Sequence, residues 1–151
     1  MSLIGTPSAG DLMDAPVPGL ACAFELTLLR DTPVIVGTTP TGGQRSHVPV
    51  IGGHFCGEGL TGSVVAGGET LLQRADGVVV VEANYYIRFA DGAVARCFGC
   101  GYRTMSGEFT GLRLSLLFEA AGDGSVAMLA TRVYVAEQPE AGAVLTISRI
   151  T

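Results

Sequence analysis

The chain has 151 residues, a length typical of one domain, and 48% of them are hydrophobic, enough for a core without disulfides or metals. Charged residues make up only 15%, the net charge is −5, and all nine basic residues are scattered arginines. This balance argues against nucleic acid as a partner, and no apolar run approaches the roughly 20 residues that span a bilayer, so we expect no membrane partner.

Residues 1–19 contain no basic residue and no continuous apolar segment, but several Pro, Gly and Ser. We therefore interpret them as a flexible lead-in rather than a signal peptide, and expect a cytoplasmic protein. The remaining residues, 20–151, are expected to form a single domain.

The first predicted strand is Leu20–Arg30, whose even positions are apolar while its odd positions include Glu25 and Thr27. This alternation has period two and not 3.6. Asp31–Arg45 is rich in Thr, Pro and Gly and is predicted to be a long loop. Alternation and Gly-containing turns predict eight further strands: His47–Cys56, Leu60–Ala66, Glu69–Arg74, Val78–Phe89, Ala93–Tyr102, Leu112–Ala121, Val126–Glu137 and Ala143–Ile150.

About nine strands with no convincing helix indicate an all-β fold. Turns at Asp76-Gly77 and Asp91-Gly92 are strong hairpin signals and predict a meandering antiparallel sheet. Closure into a barrel would remove exposed strand edges, so a single β-barrel is favoured. A two-sheet β-sandwich is the alternative.

Cys97 and Cys100 form a C-x-x-C pair, but both lie on one predicted strand. Residues three apart on a strand point to opposite faces, so the pair is not expected to share a metal or a disulfide. With only two histidines and no phosphate-binding or hydrolase motif, we expect no metal site and no cofactor.

The most informative pattern is in Val78–Phe89. Its odd positions are apolar, whereas its even positions align a carboxylate, an amide, a phenol and a guanidinium: Glu82, Asn84, Tyr86 and Arg88. This row faces either water or the lumen of the barrel. In the lumen it would orient a ligand inside a mostly apolar cavity.

Two other polar positions are candidates for ligand binding. His54 shares a strand face with Cys56, and Arg113 opposes the apolar face of Leu112–Ala121. A His-assisted thiolate is geometrically conceivable at the first position, although a structural His beside a Cys is the commoner case.

The segment from Pro49 to Gly57, with the sequence P-V-I-G-G-H-F-C-G, resembles a motif of the small bacterial proteins known as domain of unknown function 3237. The similarity continues through Gly67-Gly68, Ala75-Asp76-Gly77 and Asp91-Gly92-Ala93 to the closing strands. The resemblance implies a calycin-like antiparallel barrel that is often oligomeric, with no activity established for the family.

The chain departs from the family pattern at several polar and aromatic positions: Thr70, Leu71, Glu82, Gly99, Met128 and Ala130. If those positions line the family's pocket, the pocket of this chain is roomier and more apolar.

Three hypotheses for function follow. The first is a barrel that binds a small apolar or aromatic metabolite in a largely apolar cavity. The second is a cofactor-independent isomerase, cyclase or lyase acting on an aromatic or polyketide-like substrate, with a buried Glu82 as general base and Tyr86 or Arg88 stabilising an enolate. The third is a structural subunit whose low charge reflects a homo-oligomeric interface.

Overall fold

The structure is a computed structural model that describes residues 5, 6, 8–10, 14–140 and 144–151. Within these residues the chain forms nine strands and one short 3₁₀ helix, Ala127–Thr131. The strands are β1 (Leu20–Arg30), β2 (Val34–Thr38), β3 (Gln44–Gly57), β4 (Leu60–Gln73), β5 (Val79–Phe89), β6 (Val94–Thr104), β7 (Gly111–Ala120), β8 (Tyr134–Pro139) and β9 (Leu145–Ile150).

All strand pairings are antiparallel, and the sheet closes on itself. Strand β1 pairs with β9 on one side and with β3 on the other, so β1 and β3 to β9 form a closed eight-stranded barrel. Strand β2 pairs only with β3 and lies outside the ring as an additional edge strand. The all-β antiparallel barrel is thus confirmed, and the sandwich alternative is wrong.

The inward faces of the strands fill the lumen with side chains. On β5 the odd positions point inward, and Val81, Tyr85 and Ile87 are almost completely buried. At one end of the barrel the rings of Phe24, Phe55, Phe89, Phe118 and Tyr134 pack together with centroid separations of 4.5–6.4 Å. Leu129 of the 3₁₀ helix is fully buried against this core, so we call this end the helix end.

The opposite end carries the polar part of the interior. Here Arg30, at the end of β1, reaches the buried carboxylate of Glu69 on β4. We call it the Arg30 end.

The predicted strands differ most from the observed ones at three places. Residues 34–38 of the predicted loop form β2, and the two strands predicted either side of Gly67-Gly68 are one continuous strand, β4. A bulge between Val64 and Ala66 lets β4 continue, and Gly67 has a φ of 141°, with no room for a Cβ beside the Asn84 carbonyl. The third error is at Val126–Glu137, which begins with the 3₁₀ helix. The predicted number of strands, nine, is confirmed because the first error omits one strand and the second divides one strand into two.

The barrel's first and last strands are joined just beyond their ends. The Gly19 amide donates to the Thr151 carbonyl (3.2 Å), and the Thr151 amide donates to the Gly19 carbonyl (2.9 Å). Much of the predicted lead-in, and Ala143 at the start of the last predicted strand, lie outside the described residues. Among the residues described, we find no helix with the length and apolarity needed to cross a bilayer.

Candidate functional site

A groove lies on the outer surface of the barrel, across β3 to β7. Its volume is about 630 Å³ and its walls are mainly apolar. We call it the outer groove, and it is lined by His47, Gly67, Gly68, Thr70, Glu82, Ala83, Asn84, Arg96, Phe98, Gly99, Cys100, Ser115 and Leu117.

Strand register explains why these side chains meet. Directly paired residues of antiparallel strands share one face, so each lateral row of the sheet presents its side chains together. One outward row runs across five strands through His47, Thr70, Glu82, Cys100 and Ser115. A carboxylate, an imidazole, two hydroxyls and a thiol therefore border the groove.

The neighbouring outward row carries Asn84, Phe98 and Leu117. Arg96 donates from Nε to the Asn84 Oδ1 atom (2.6 Å), and its guanidinium lies 4.0 Å from the centroid of the Phe98 ring. The same guanidinium forms an ion pair with Glu119. Arg96 is thus held in place on three sides, and this fixes the cationic edge of the groove.

Glu82, by contrast, is exposed and has no hydrogen-bond or ion-pair partner among the described residues. His47 is half-buried, and its Nδ1 atom lies 3.4 Å from the Thr70 hydroxyl. A Cβ at Gly68 would lie 2.5 Å from the His47 ring, so only glycine leaves room for the imidazole at this position. Of the charged groups in the groove, Glu82 is the one free to accept hydrogen bonds from a ligand.

The predicted site residues are only partly brought together. Glu82 and Asn84 line the outer groove, whereas Arg88 borders a separate shallow cleft near Thr61. Tyr86 and His54 are exposed outside the outer groove, and Arg113 forms an ion pair with Glu137 (2.8 Å) beside the β6–β7 loop. Of the two orientations left open by the sequence, the structure shows the Glu82–Arg88 row facing water, because the other face of β5 carries the core.

Among the described residues the buried carboxylate is that of Glu69, so the expectation of a buried Glu82 is wrong. Glu69 is 3% exposed and accepts from Arg30 through both oxygens, from Nε at 2.5 Å and from Nη2 at 3.1 Å. The Tyr85 hydroxyl donates to Glu69 Oε2 at 2.7 Å. A general base with both oxygens engaged in this way is poorly suited to accept a proton, so the network has a structural role.

The cysteines lie as expected from strand geometry. Cys97 is buried and Cys100 is exposed on the opposite face of β6, as the spacing of three residues predicts. Burial raises the pKa of the Cys97 thiol to about 12, so this sulfur is a neutral core group at neutral pH. The positions at which the chain departs from the family pattern do not form one pocket: Thr70, Glu82 and Gly99 line the outer groove, whereas Met128 and Ala130 lie on the 3₁₀ helix.

Known proteins of similar sequence and structure are themselves uncharacterised for the most part. The chain is 33% identical over 87 residues to a UPF0311 protein of Clostridium acetobutylicum, a match that covers 57% of this chain and 55% of that protein. The matched region thus spans about half the length of that relative.

Solved structures share the fold over most of the chain. A β-barrel-like protein from Acinetobacter baumannii superimposes with a TM-score of 0.78 at 21% identity, covering 91% of this chain and 98% of the other. A protein from Penicillium herquei described only as an enzyme gives a TM-score of 0.75 at 19% identity, with the same coverage of 91% and 98%. Residues 18–111 match the family described as "Protein of unknown function (DUF3237)", and this chain belongs to that family.

Proposed function

We propose that the protein binds a small, largely apolar aromatic molecule in the outer groove and not in the barrel lumen. The observation that carries the proposal is the unpartnered Glu82 carboxylate, set among mainly apolar walls in a groove of about 630 Å³. This volume lies within the range of about 300–1,000 Å³ that is usual for small-molecule sites.

The chemistry of the groove suggests what such a ligand carries. Phe98 and Leu117 offer flat apolar contact, and an ionised carboxylate such as that of Glu82 accepts hydrogen bonds but donates none. The favoured ligand therefore has an aromatic body and a hydroxyl or amine that donates to Glu82.

Calorimetric titration with 2-naphthol as the probe tests this proposal. We expect measurable binding that weakens by tenfold or more in Glu82→Ala, because a hydrogen bond to a charged group is worth about 1.5–3 kcal/mol. Glu25→Ala is the matched control, since Glu25 is also an exposed carboxylate, on the outer face of β1. 2-Methoxynaphthalene, which has the same ring system but no donor, should bind as weakly as 2-naphthol binds to Glu82→Ala.

A second variant tests the location independently of Glu82. Ser115 is exposed at the β7 side of the groove, so Ser115→Trp is expected to fill the space without disturbing the core. Binding of 2-naphthol that survives both Ser115→Trp and Glu82→Ala, or no binding to the native protein, would reject the proposal.

A cofactor-independent isomerase, cyclase or lyase is the second candidate. Glu82 and His47 lie on one row with Thr70 between them, an arrangement that places two proton-accepting groups on the same groove. The cation that lines this groove is Arg96, whereas Tyr86 and Arg88, expected to stabilise an enolate, lie outside it. Because Glu82 is exposed, a substrate would itself have to exclude water from the carboxylate.

Exchange of the α-protons of 2-tetralone in D₂O, followed by NMR, separates catalysis from binding. In this reaction the base takes a proton from carbon, an enolate forms, and a deuteron from solvent is returned to the same carbon. A general base contributes about 10²–10⁴-fold, so Glu82→Gln should reduce catalysed exchange by at least a hundredfold. Exchange at the same rate in the native protein and Glu82→Gln would reject the catalytic candidate and leave ligand binding intact.

A further inference from the structure

A second, smaller cleft lies at the helix end of the barrel, remote from the outer groove. Its volume is about 350 Å³, and we call it the arginine cleft. It is lined by Glu58, Leu60, Met128, Leu129, Arg132 and Arg149.

The strand register makes Arg149 an inward-pointing charge. Arg149 on β9 is paired directly with Tyr134 on β8, and paired residues project to the same side of the sheet. Tyr134 is completely buried in the core, so Arg149 projects toward the interior of the barrel end. Charged side chains at inward positions normally have a close counter-ion.

Arg30, the inward arginine at the other end, shows what such a counter-ion provides. Arg30 holds Glu69 with two contacts, of 2.5 and 3.1 Å. Arg149 has a single contact of 3.3 Å to Glu58, and its buried Nε atom bonds to no group among the described residues. Arg149 therefore lacks the bidentate partner that Arg30 has.

The charges of the cleft residues also indicate that Arg149 lacks a full counter-ion. Glu58 is shared with Arg132, whose Nη1 atom lies 3.6 Å from the second carboxylate oxygen, so two guanidinium groups face one carboxylate. The arginine cleft thus has a net charge of +1 from these three residues. Neither contact is as short as a good charge-assisted hydrogen bond of about 2.7–2.9 Å.

A further donor lies on β8, beside Arg149. The buried Tyr134 hydroxyl bonds to no group in the described residues. Burial raises the pKa of the Tyr134 phenol, whereas the positive charges of Arg132 and Arg149 lower it. The phenol therefore remains a protonated donor at neutral pH.

Glu58 itself occupies an unfavourable backbone conformation. It is the first central residue of the tight β3–β4 turn and has a φ of 47°. Among the described residues, Glu58 alone is a non-glycine residue with a positive φ. Asn, Asp and Gly are the usual residues at this position of such a turn. A glutamate at this position places its carboxylate near two arginines, although the backbone conformation of the turn is unfavourable for this residue type.

From these observations we infer that the arginine cleft binds the carboxylate of a small organic acid, which displaces Glu58 and engages Arg149 and Arg132 in its place. The apolar part of the acid lies against Leu60, Met128 and Leu129. This inference is independent of the outer groove, because the two sites share no lining residue.

Calorimetric titration of the native protein with benzoate, compared with the neutral analogue benzamide, tests the inference. We expect benzoate to bind and benzamide to bind at least tenfold more weakly. Arg149→Gln should weaken benzoate binding by tenfold or more. Arg113→Gln, which removes an ion-paired arginine elsewhere on the barrel, should leave it unchanged.

Two variants separate a ligand site from a purely structural cluster. Glu58→Gln should tighten benzoate binding several-fold, because the Glu58 carboxylate that competes with benzoate for the two arginines loses its charge. Glu137→Gln, which changes a carboxylate paired with Arg113 elsewhere on the barrel, should leave benzoate binding unchanged. Tyr134→Phe removes only the unpaired hydroxyl, so it should keep the native fold, checked by circular dichroism, and weaken binding.

Failure of benzoate to bind, or binding that Arg149→Gln and Tyr134→Phe leave unchanged, would overturn the inference. Inorganic phosphate binding as tightly as benzoate would also overturn it, since the cleft would then select charge and not an organic acid.

Discussion

Arg30, Glu69 and Tyr85 form a closed hydrogen-bonded unit at one end of the barrel. The side chain of Arg30 is 30% exposed and that of Glu69 is only 5% exposed, so the carboxylate is the desolvated partner. Burial and the adjacent Glu69 charge raise the pKa of Tyr85, which keeps the phenol protonated as a donor. Removing one member of such a unit leaves the others buried without a partner, and that penalty exceeds the benefit of the intact contact.

At the residue scale we therefore predict that Glu69→Gln lowers the free energy of unfolding by about 3 kcal/mol, because it leaves Arg30 facing a neutral amide. Glu82→Gln, the same change at an exposed carboxylate on a neighbouring strand, should alter it by less than about 0.5 kcal/mol. Urea denaturation followed by circular dichroism measures both values. Equal effects of the two substitutions would contradict the structural role given to Glu69.

The element that completes the core is the 3₁₀ helix. It lies between β7 and β8 and contributes Leu129, which is 0% exposed, to the core cluster that also contains the aromatic rings. Its neighbour Met128 is 42% exposed. The Leu129 side chain is therefore the part of this helix that is packed in the core.

We predict that Leu129→Ala costs about 2–5 kcal/mol of unfolding free energy, because the vacated volume cannot be filled by the surrounding strands. Met128→Ala, one residue away on the same helix, should cost less than about 0.5 kcal/mol. Thermal and urea unfolding of the two variants check this. Comparable losses would mean that the helix contributes through its backbone and not through the Leu129 side chain.

Much of the strand pattern could be predicted because the alternation of apolar and polar residues along a strand depends on local sequence alone. Strand β1 was predicted with its observed bounds, and β5 to within one residue, from period-two hydrophobicity alone. Strand β2 was missed because its apolar run, Val34–Val36, is too short to show a period and is flanked by Pro33 and Gly37.

The candidate site was less predictable, since it depends on register between distant strands. The alternation of apolar and polar residues places Glu82 and Tyr85 on opposite faces of β5. It does not indicate which of these faces lies inside the barrel. Arg96 enters the outer groove only because β6 pairs with β5, and Glu69 meets Arg30 across 39 residues of sequence. No local pattern indicates either contact.

At the scale of the whole molecule, β2 remains an open edge of the sheet. Its residues Val34, Ile35 and Val36 are 57%, 70% and 72% exposed, and it pairs with β3 alone. An unpaired edge with apolar, uncharged side chains is suited to antiparallel pairing with another strand. A second copy of β2 about a two-fold axis satisfies both edges at once.

We therefore expect a homodimer, with a mass twice that of the chain by light scattering, and we expect Ile35→Lys to yield the monomer because edge charges oppose pairing. Leu20→Lys, at a residue 64% exposed on β1, is the matched control and should remain dimeric. A monomeric native protein would contradict the expected homo-oligomer, and a dimeric Ile35→Lys would place the interface elsewhere.

The paired hydrogen bonds between Gly19 and Thr151 hold the two segments together just beyond the paired ends of β1 and β9. Each barrel strand has its neighbours fixed around the ring, so the order in which loops connect the strands is separable from the architecture. A circular permutant of residues 19–151 that links Thr151 to Gly19 and opens at the exposed Asp76-Gly77 turn would preserve all the strand pairings of the barrel while placing the new ends at that turn. The outer groove and the arginine cleft would then form in a barrel whose strands are connected in a different order along the chain.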